Sequence, residues 1–295
     1  GIPSRRLWSQ RKLPHPIQLS NPPHGHGPWQ LFQPRLLEIG IACSVRLFYF
    51  RPINSIVKHP IDLPNLSIIT ITFNNPEELL KTYESLEDFR KNEGHHIVIN
   101  GGSIVADFIK DCSLVEEADK GIYAALNKGI ERVNTKYFML IHSGDTLVQD
   151  NSILEGLLEN MESESLDILL NNCSIEFGKG KRIMKSDKWS PWMFLFGAQP
   201  PHPPTIYKTD SVKHILYDIN HRVIADFKYL EDLFNLKLKY GYGKKLLIHM
   251  SAGGATSSGL KSFFYVNRQF RELKGPVKMI LFAVFRPFIK VYQML

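Results

Sequence analysis

Asp145 closes the stretch YFMLIHSGD, Tyr137 to Asp145, and its side chain is well suited to chemistry. The run from Tyr137 to Ile141 is short, unbroken and apolar, so it reads as a buried parallel strand. A carboxylate just past the carboxyl end of such a strand, in a turn containing Gly144, stands where open α/β sheets bind their ligands. Its oxygens suit a hard divalent cation, Mg2+ or Mn2+, and the turn leaves room for a diphosphate to complete the coordination shell. Upstream, Asp119 and Lys120 form an acidic and basic pair ahead of Gly121. His202 sits in QPPHPPT, Gln199 to Thr205, where the prolines fix the chain; the imidazole is either held there for use or is structural. Asp226 precedes Phe227, Leu230, Leu233 and Phe234, which places it in the first turn of a helix. Backbone N–H groups favour a carboxylate there, and capping is its plainest role.

The elements that must position these residues alternate between two periods. Leu66 to Phe73 is a β-branched apolar run suited to the middle of a parallel sheet, closed by Asn74 and Asn75. Asn75 as cap, Pro76 at the first helical position and Glu78 two residues on start a helix that runs to about Phe89 and buries Leu79, Leu80, Tyr83 and Leu86. His96 to Ile99 is the next strand, turned over by Asn100, Gly101, Gly102 and Ser103. Ile122, Leu126, Ile130 and Val133 recur at helical spacing. This alternation is that of an α/β, Rossmann-like nucleotide-binding sheet, mostly parallel and flanked by helices, whose strand-end loops share a crevice with Asp145. Farther on, a helix capped by Asp150 carries Ile153, Leu154, Leu157, Leu158 and Met161, and Asp167 to Phe177 reads as a strand returning through Lys181 to Met184. Trp189, Trp192, Phe194 and Phe196 are either core or one wall of an acceptor pocket. Ile206 and Tyr207 make a short strand.

The chain of 295 residues is long enough for one large domain with appendages. Cys43, Cys112 and Cys173 form no paired or metal-binding spacing and read as ordinary cytosolic thiols. No segment reaches the roughly 18 apolar residues needed to cross a bilayer, and no secretion signal is recognised. The net charge of +7 is unevenly placed. Residues 1–60 hold eight Arg and Lys against Glu38, residues 261–295 hold seven against Glu272, and the 200 residues between them sum to −6. The basic balance therefore does not describe the core, which argues against nucleic acid as a partner. Residues 1–60 are rich in Pro, include His24 and His26, and read as a poorly ordered extension; the apolar run from Ile39 to Phe50 has no evident place. Residues 259–295 read as a basic amphipathic helical segment, in which Lys278, Arg286 and Lys290 lie among apolar residues and Pro287 interrupts the run. That composition suits an anionic membrane surface, with packing against the catalytic domain or a second subunit as the alternative.

LSIITITFNN, NGGS, DKGIYAALNKGI, SGD, PPHPPTIY, IADFKYL and SAGGATSSG occur in this order. Together they resemble the family 2 glycosyltransferases of GT-A fold, in particular the bacterial polysaccharide-assembly group that includes colanic-acid-type enzymes. The likeness spans residues 65–270, so the resemblance implies a catalytic domain over 61–258. It implies that Phe73, Asn74, Asn100, Asp119 and Lys120 line the nucleotide side, that Gly144 and Asp145 end the metal motif with Asp145 holding Mn2+ or Mg2+, and that Gly253 and Gly254 lie near the donor. It makes Asp226 the base and His202 the histidine of the loop before the acceptor strand. Departures stand at Asn100 and Ala124, where the family usually has Asp, at Ser143, often acidic in other branches, and at Thr256, usually Ser.

The function so implied is metal-dependent, inverting, hexosyltransferase-like transfer of a sugar from a nucleoside-diphosphate donor to a hydroxyl of a glycan or lipid-linked acceptor in cell-surface polysaccharide biosynthesis. The protein would be cytoplasmic, peripheral on the cytoplasmic face of the inner membrane. A non-catalytic sugar-nucleotide-binding or interaction protein of the same fold is the reading from another class. A nucleotidyltransferase would call for a Gly-rich, basic loop after the first strand, and TFNNPEE is neither.

Overall fold

The computed structural model describes residues 63–295 apart from 104–106, 178–179, 222 and 252–258. The segment 1–60, with His24, His26 and the run from Ile39 to Phe50, lies outside the described residues.

Among the described residues nine strands form one sheet: β1 (Leu66–Thr72), β2 (His95–Asn100), β3 (Ser113–Glu116), β4 (Tyr137–Leu140), β5 (Thr146–Leu147), β6 (Ile168–Phe177), β7 (Gly180–Met184), β8 (Ile206–Lys208) and β9 (Tyr240–Met250). Their spatial order is β3-β2-β1-β4-β8-β6-β9-β5, with β7 paired to β6. β3, β2, β1 and β4 are mutually parallel, as are β6 and β9, while β8 runs antiparallel to both β4 and β6. β5 and β7 are antiparallel to their neighbours. The sheet is therefore mixed but mainly parallel, an α/β architecture consistent with the GT-A, Rossmann-like expectation.

The helices are α1 (Pro76–Ser85), α2 (Glu87–Lys91), α3 (Ile122–Glu131), α4 (Asn151–Ser163), α5 (Thr209–Val212), α6 (Ala225–Asn235), α7 (Gly259–Lys274) and α8 (Pro276–Met294). Every residue of β1 and β4 is buried, because alternate side chains enter different cores. Ile69, Ile71, Phe138 and Leu140 join the core containing residues of α3, α6, α7 and α8. Leu66, Ile68, Tyr137 and Met139 join the one with Phe89 and α4.

Local signals set the helix starts as expected: the Asn75 side chain accepts from Glu78 N, and Asp150 accepts from Ile153 N. The helix expected to reach Phe89 instead breaks at the buried Leu86, and Leu80 of its expected buried face is exposed. Ile122, expected on the buried face of α3, is 45% exposed and faces the cleft described below. Of the aromatic group, Trp189 and Phe194 are buried and Trp192 is exposed. None of the four lines that cleft, so the group reads as core with an exposed edge. The C-terminal segment forms two helices divided at Gly275, and Pro287 lies inside α8 without ending it. Val266 and Phe270 of α7 and Phe282 of α8 are buried in the same core as α3 and α6.

Candidate active site

A cleft of about 990 Å³ opens where β1, β4 and the Gln199–Pro203 loop meet the starts of α3 and α6 and the inner faces of α7 and α8. Phe73, Asp119, Asp145, His202 and Asp226, five residues singled out in the sequence, line it together.

Asp145 is 5% exposed and is held by backbone groups: its Oδ1 accepts from Ser251 N at 3.1 Å, and its own N–H donates to the His142 carbonyl at 3.0 Å. Burial pushes its pKa up to about 7, against the lowering effect of the backbone N–H groups of Ser251 and His142 on the carboxylate, and the Glu78 carboxylate raises it further. The turn preceding it is fastened to α1 by Thr82, whose hydroxyl donates to the Asp145 carbonyl at 2.7 Å and accepts from Gly144 N at 2.9 Å. Gly144 has φ +95°, and a Cβ there would lie 2.4 Å from Glu78 Oε2, so this position of the turn requires glycine.

Asp226 lies in the first turn of α6, where the helix N-terminus favours a carboxylate. Its Oδ2 accepts from Gln199 Nε2 at 2.8 Å and its Oδ1 from Phe227 N at 2.8 Å. It does not act as the N-cap, which is Ile224. Tyr123, from the first turn of α3, has its phenol pKa raised by burial and by the Asp226 charge.

His202 is 6% exposed, and both ring nitrogens are engaged, Nε2 with Tyr217 OH at 2.6 Å and Nδ1 with Tyr207 OH at 2.9 Å. Burial pulls its pKa down to about 4, so the ring is neutral: one nitrogen donates to a phenol oxygen while the other accepts a phenol proton. His142, on the strand-end turn, is held neutral by the same cause, also at about 4.

Of the other expected residues, Asn74, Asn100, Lys120 and Gly144 are not among the residues lining the cleft. Asn74, at φ 51°, ties two strand-end loops together by accepting from Ser103 N at 2.9 Å. Asn100 is buried, accepts from Gly102 N at 3.0 Å and donates to Glu116 Oε1 at 3.3 Å. Asp119 pairs with Lys128 at 2.6 Å, whereas Lys120 is exposed and outside the cleft lining. Gly253 and Gly254 lie outside the described residues.

Residues 67–234 match the family described as Glycosyl transferase family 2. The chain belongs to this family. It is 34% identical over 178 residues to the "Uncharacterized glycosyltransferase Rv1514c" of Mycobacterium tuberculosis, a match covering 57% of this chain and 68% of that one. Among solved structures it resembles S. aureus TarS, with a TM-score of 0.54 at 16% identity, covering 76% of this chain and 43% of TarS, less than half its length. The mannosyltransferase PcManGT from Pyrobaculum calidifontis, solved with GDP-Man and Mn2+, gives a TM-score of 0.52 at 11% identity, covering 78% and 72%. At such identities these are likenesses of fold.

The donor set of this family 2 glycosyltransferase fits a divalent cation in a restricted way. Among the described residues no group of three or more His, Cys, Asp or Glu is placed to hold a metal. Asp145 offers a buried carboxylate whose charge is disfavoured without a countercharge, with Glu78 within electrostatic reach. One carboxylate with phosphate oxygens of a substrate is a set that Mg2+ and Mn2+ accept.

Several lining or supporting residues were not apparent from the sequence. Gln199, in the quoted proline loop, and Glu78, read only as part of a helix start, were visible without their roles. Ser251 stood in the quoted SAGGATSSG and Arg286 in the basic amphipathic tail, again without their roles, whereas Thr82 and Phe282 carried no local signal.

Proposed function

We propose that this protein transfers a sugar, with inversion, from a nucleoside-diphosphate donor to a hydroxyl of a glycan or lipid-linked acceptor. The observation that carries the reading is that Asp145 and Asp226, held by different elements, line one cleft. Inversion follows from a single displacement: the acceptor oxygen attacks the anomeric carbon, the bond from that carbon to the diphosphate oxygen breaks, and the nucleoside diphosphate departs with the electron pair. Asp226 takes the hydroxyl proton, with Gln199 and Phe227 N fixing the direction of its oxygens. A cation bound at Asp145 would offset the charge that gathers on the diphosphate. Phe73, 67% exposed at the cleft, and Asp119 belong to the donor side. His202, pinned by two tyrosines, is a positioning residue for the acceptor wall. The donor class and the cation draw support from PcManGT, solved with GDP-Man and Mn2+.

The setting is cell-surface polysaccharide assembly of the colanic-acid-related kind, at the cytoplasmic face of the inner membrane. Among the described residues no helix is long and apolar enough to cross a membrane. One face of α8, however, leaves Val277, Ile280, Val284, Phe288 and Val291 between 51% and 71% exposed, an area suited to lying in the interface.

Screening nucleotide sugars by thermal shift with Mn2+ present tests the reading, since a bound donor stabilises only the folded state. A donor that stabilises the protein and is turned over with an acceptor supports it. Binding with no turnover across a broad acceptor panel would leave a nucleotide-sugar-binding protein.

A further inference from the structure

Arg286 is the one Lys or Arg among the described residues that line the cleft, where the acidic side chains are those of Glu78, Asp119, Asp145 and Asp226 and the two histidines, His142 and His202, are neutral. It reaches the cleft from α8, and the seat of that helix is tightly defined one turn earlier. The Phe282 ring stacks on Phe270 with centroids 4.1 Å apart, and it fills the space above Gly197, where an added Cβ would fall 1.7 Å from Phe282 Cδ2. The Arg286 guanidinium carbon lies 4.7 Å from the centroid of the same ring, so the aromatic face supports the cation without using its N–H donors.

One of those donors is not satisfied within the protein: Arg286 Nε is buried and has no hydrogen-bond partner. The carboxylate that reaches it electrostatically is Asp226, which favours the charged guanidinium while burial opposes it. Both Asp226 oxygens already accept other hydrogen bonds, from Gln199 and from Phe227 N. A buried guanidinium donor without an acceptor costs free energy, and an incoming oxyanion recovers it. The planar edge of Arg matches the oxygens of a phosphate in a way that a point charge does not.

Location decides which substrate brings that oxyanion. Phe282 packs on Gly197, two residues before Gln199, and Gln199 holds Asp226. Arg286 thus belongs with the base, whereas Phe73, Asp119 and Asp145 lie at the ends of β1 and β4 and the start of α3. We propose that Arg286 binds a phosphate group carried by the acceptor, beside the hydroxyl that Asp226 deprotonates. The inference rests on the glycosyl-transfer reading above and narrows its acceptor to a phosphate-bearing molecule, either a lipid diphosphate-linked sugar or a polyol-phosphate chain.

The full chain and its Arg286→Gln and Arg286→Lys variants are assayed with a donor found by the screen and three acceptors ending in the same sugar: an alkyl diphosphate-linked sugar, a soluble polyol-phosphate oligomer and a neutral alkyl glycoside. The parent should prefer a phosphate-bearing acceptor, and the one preferred identifies the source. Arg286→Gln should lower the ratio of kcat/KM for that acceptor over the neutral one by about 10–100-fold, with donor KM within about twofold, and Arg286→Lys should recover part of the ratio. Absence of any preference in the parent, equal loss on all three acceptors, or a donor KM that rises in step would overturn the proposal. A second measurement needs no turnover: inorganic phosphate, without metal, should raise the Tm of the parent and not that of Arg286→Gln, and equal shifts would also overturn it. If the parent turns over no nucleotide sugar, the glycosyl-transfer reading fails, while the phosphate shift still decides whether Arg286 is an anion site.

Discussion

Thr82 on α1 and Asp145 on the turn after β4 are joined by a buried 2.7 Å hydrogen bond from the threonine hydroxyl to the aspartate carbonyl, and the same hydroxyl accepts from Gly144 N. The turn that carries the proposed metal ligand is therefore held by a side chain 63 residues away in the sequence. Thr82→Val keeps the volume and removes the hydroxyl, leaving the buried Asp145 carbonyl without that donor while Gly144 N keeps the Glu78 carbonyl. A loss of about 1–3 kcal/mol in stability is expected by urea denaturation, together with weaker Mn2+ and donor binding. Thr82→Ser should restore both; a destabilised Val variant with full donor affinity would separate the fold of the turn from its binding role.

Asp145→Asn should weaken divalent-cation and donor binding together, because the amide keeps the size and loses the charge that offsets the cation. Isothermal titration of donor with and without Mn2+ checks this. Equal affinities in variant and parent would remove Asp145 as ligand.

Asp226→Asn should leave donor affinity nearly intact and lower kcat by roughly 10²–10⁴-fold, the usual scale of general-base assistance. The amide oxygen of Asn can keep the hydrogen bond from Phe227 N, and its NH2 can donate to the Gln199 side-chain oxygen once that amide turns over, so the fold should be preserved. An unchanged kcat where chemistry limits the rate would refute the role.

His202 and His96 are buried and neutral, with pKa values pulled down by burial to about 4 and about 3. Their contribution to stability is complete above the unfolded-state value of about 6.5, declines as the pH falls because the unfolded chain takes up protons first, and stops changing below the folded values. Urea midpoints should therefore drop from pH 7.5 to pH 5, and His96→Asn should flatten part of that slope. His202→Ala should impair acceptor use more than donor binding. A lower Tm with normal kinetics would show that the imidazole only braces Tyr207 and Tyr217.

The exposed face of α8 predicts co-sedimentation with anionic vesicles. Ile280→Glu with Phe288→Glu changes that face and spares Phe282 and Arg286, whereas ending the chain at Lys274 would strip both from the cleft. The double variant should remain in the supernatant with unchanged Tm, and full sedimentation would discard the membrane role of this face. Persistence of parent binding at high salt would mean that apolar insertion, more than charge, holds it.

The sheet's first half was legible because short-range patterns decide it. A β-branched run such as LSIITIT has few alternatives to a buried strand, and Asn75 and Asp150 cap helices through hydrogen bonds that span three residues. β9 was missed since YGYGKKLLIHM mixes Gly and Lys with apolar residues and has no clear period, and its place in the sheet comes from pairing with β6 some 70 residues away. β3 and β5 are too short to show a pattern at all. At the site, the types and local turns of Asp145, His202 and Asp226 singled them out, because carboxylates and an imidazole beside strand and helix ends are visible in one dimension. Tertiary packing alone decided their partners: Thr82 and Ser251 on Asp145, Gln199 on Asp226, and two tyrosines on His202. The same holds for the tail, whose amphipathic pattern is compatible with a membrane, a subunit or the domain itself. Burial of Phe282 against Gly197 turns one face of α8 inward and carries Arg286 into the cleft, since periodicity shows that a helix has an apolar face but not what that face will meet.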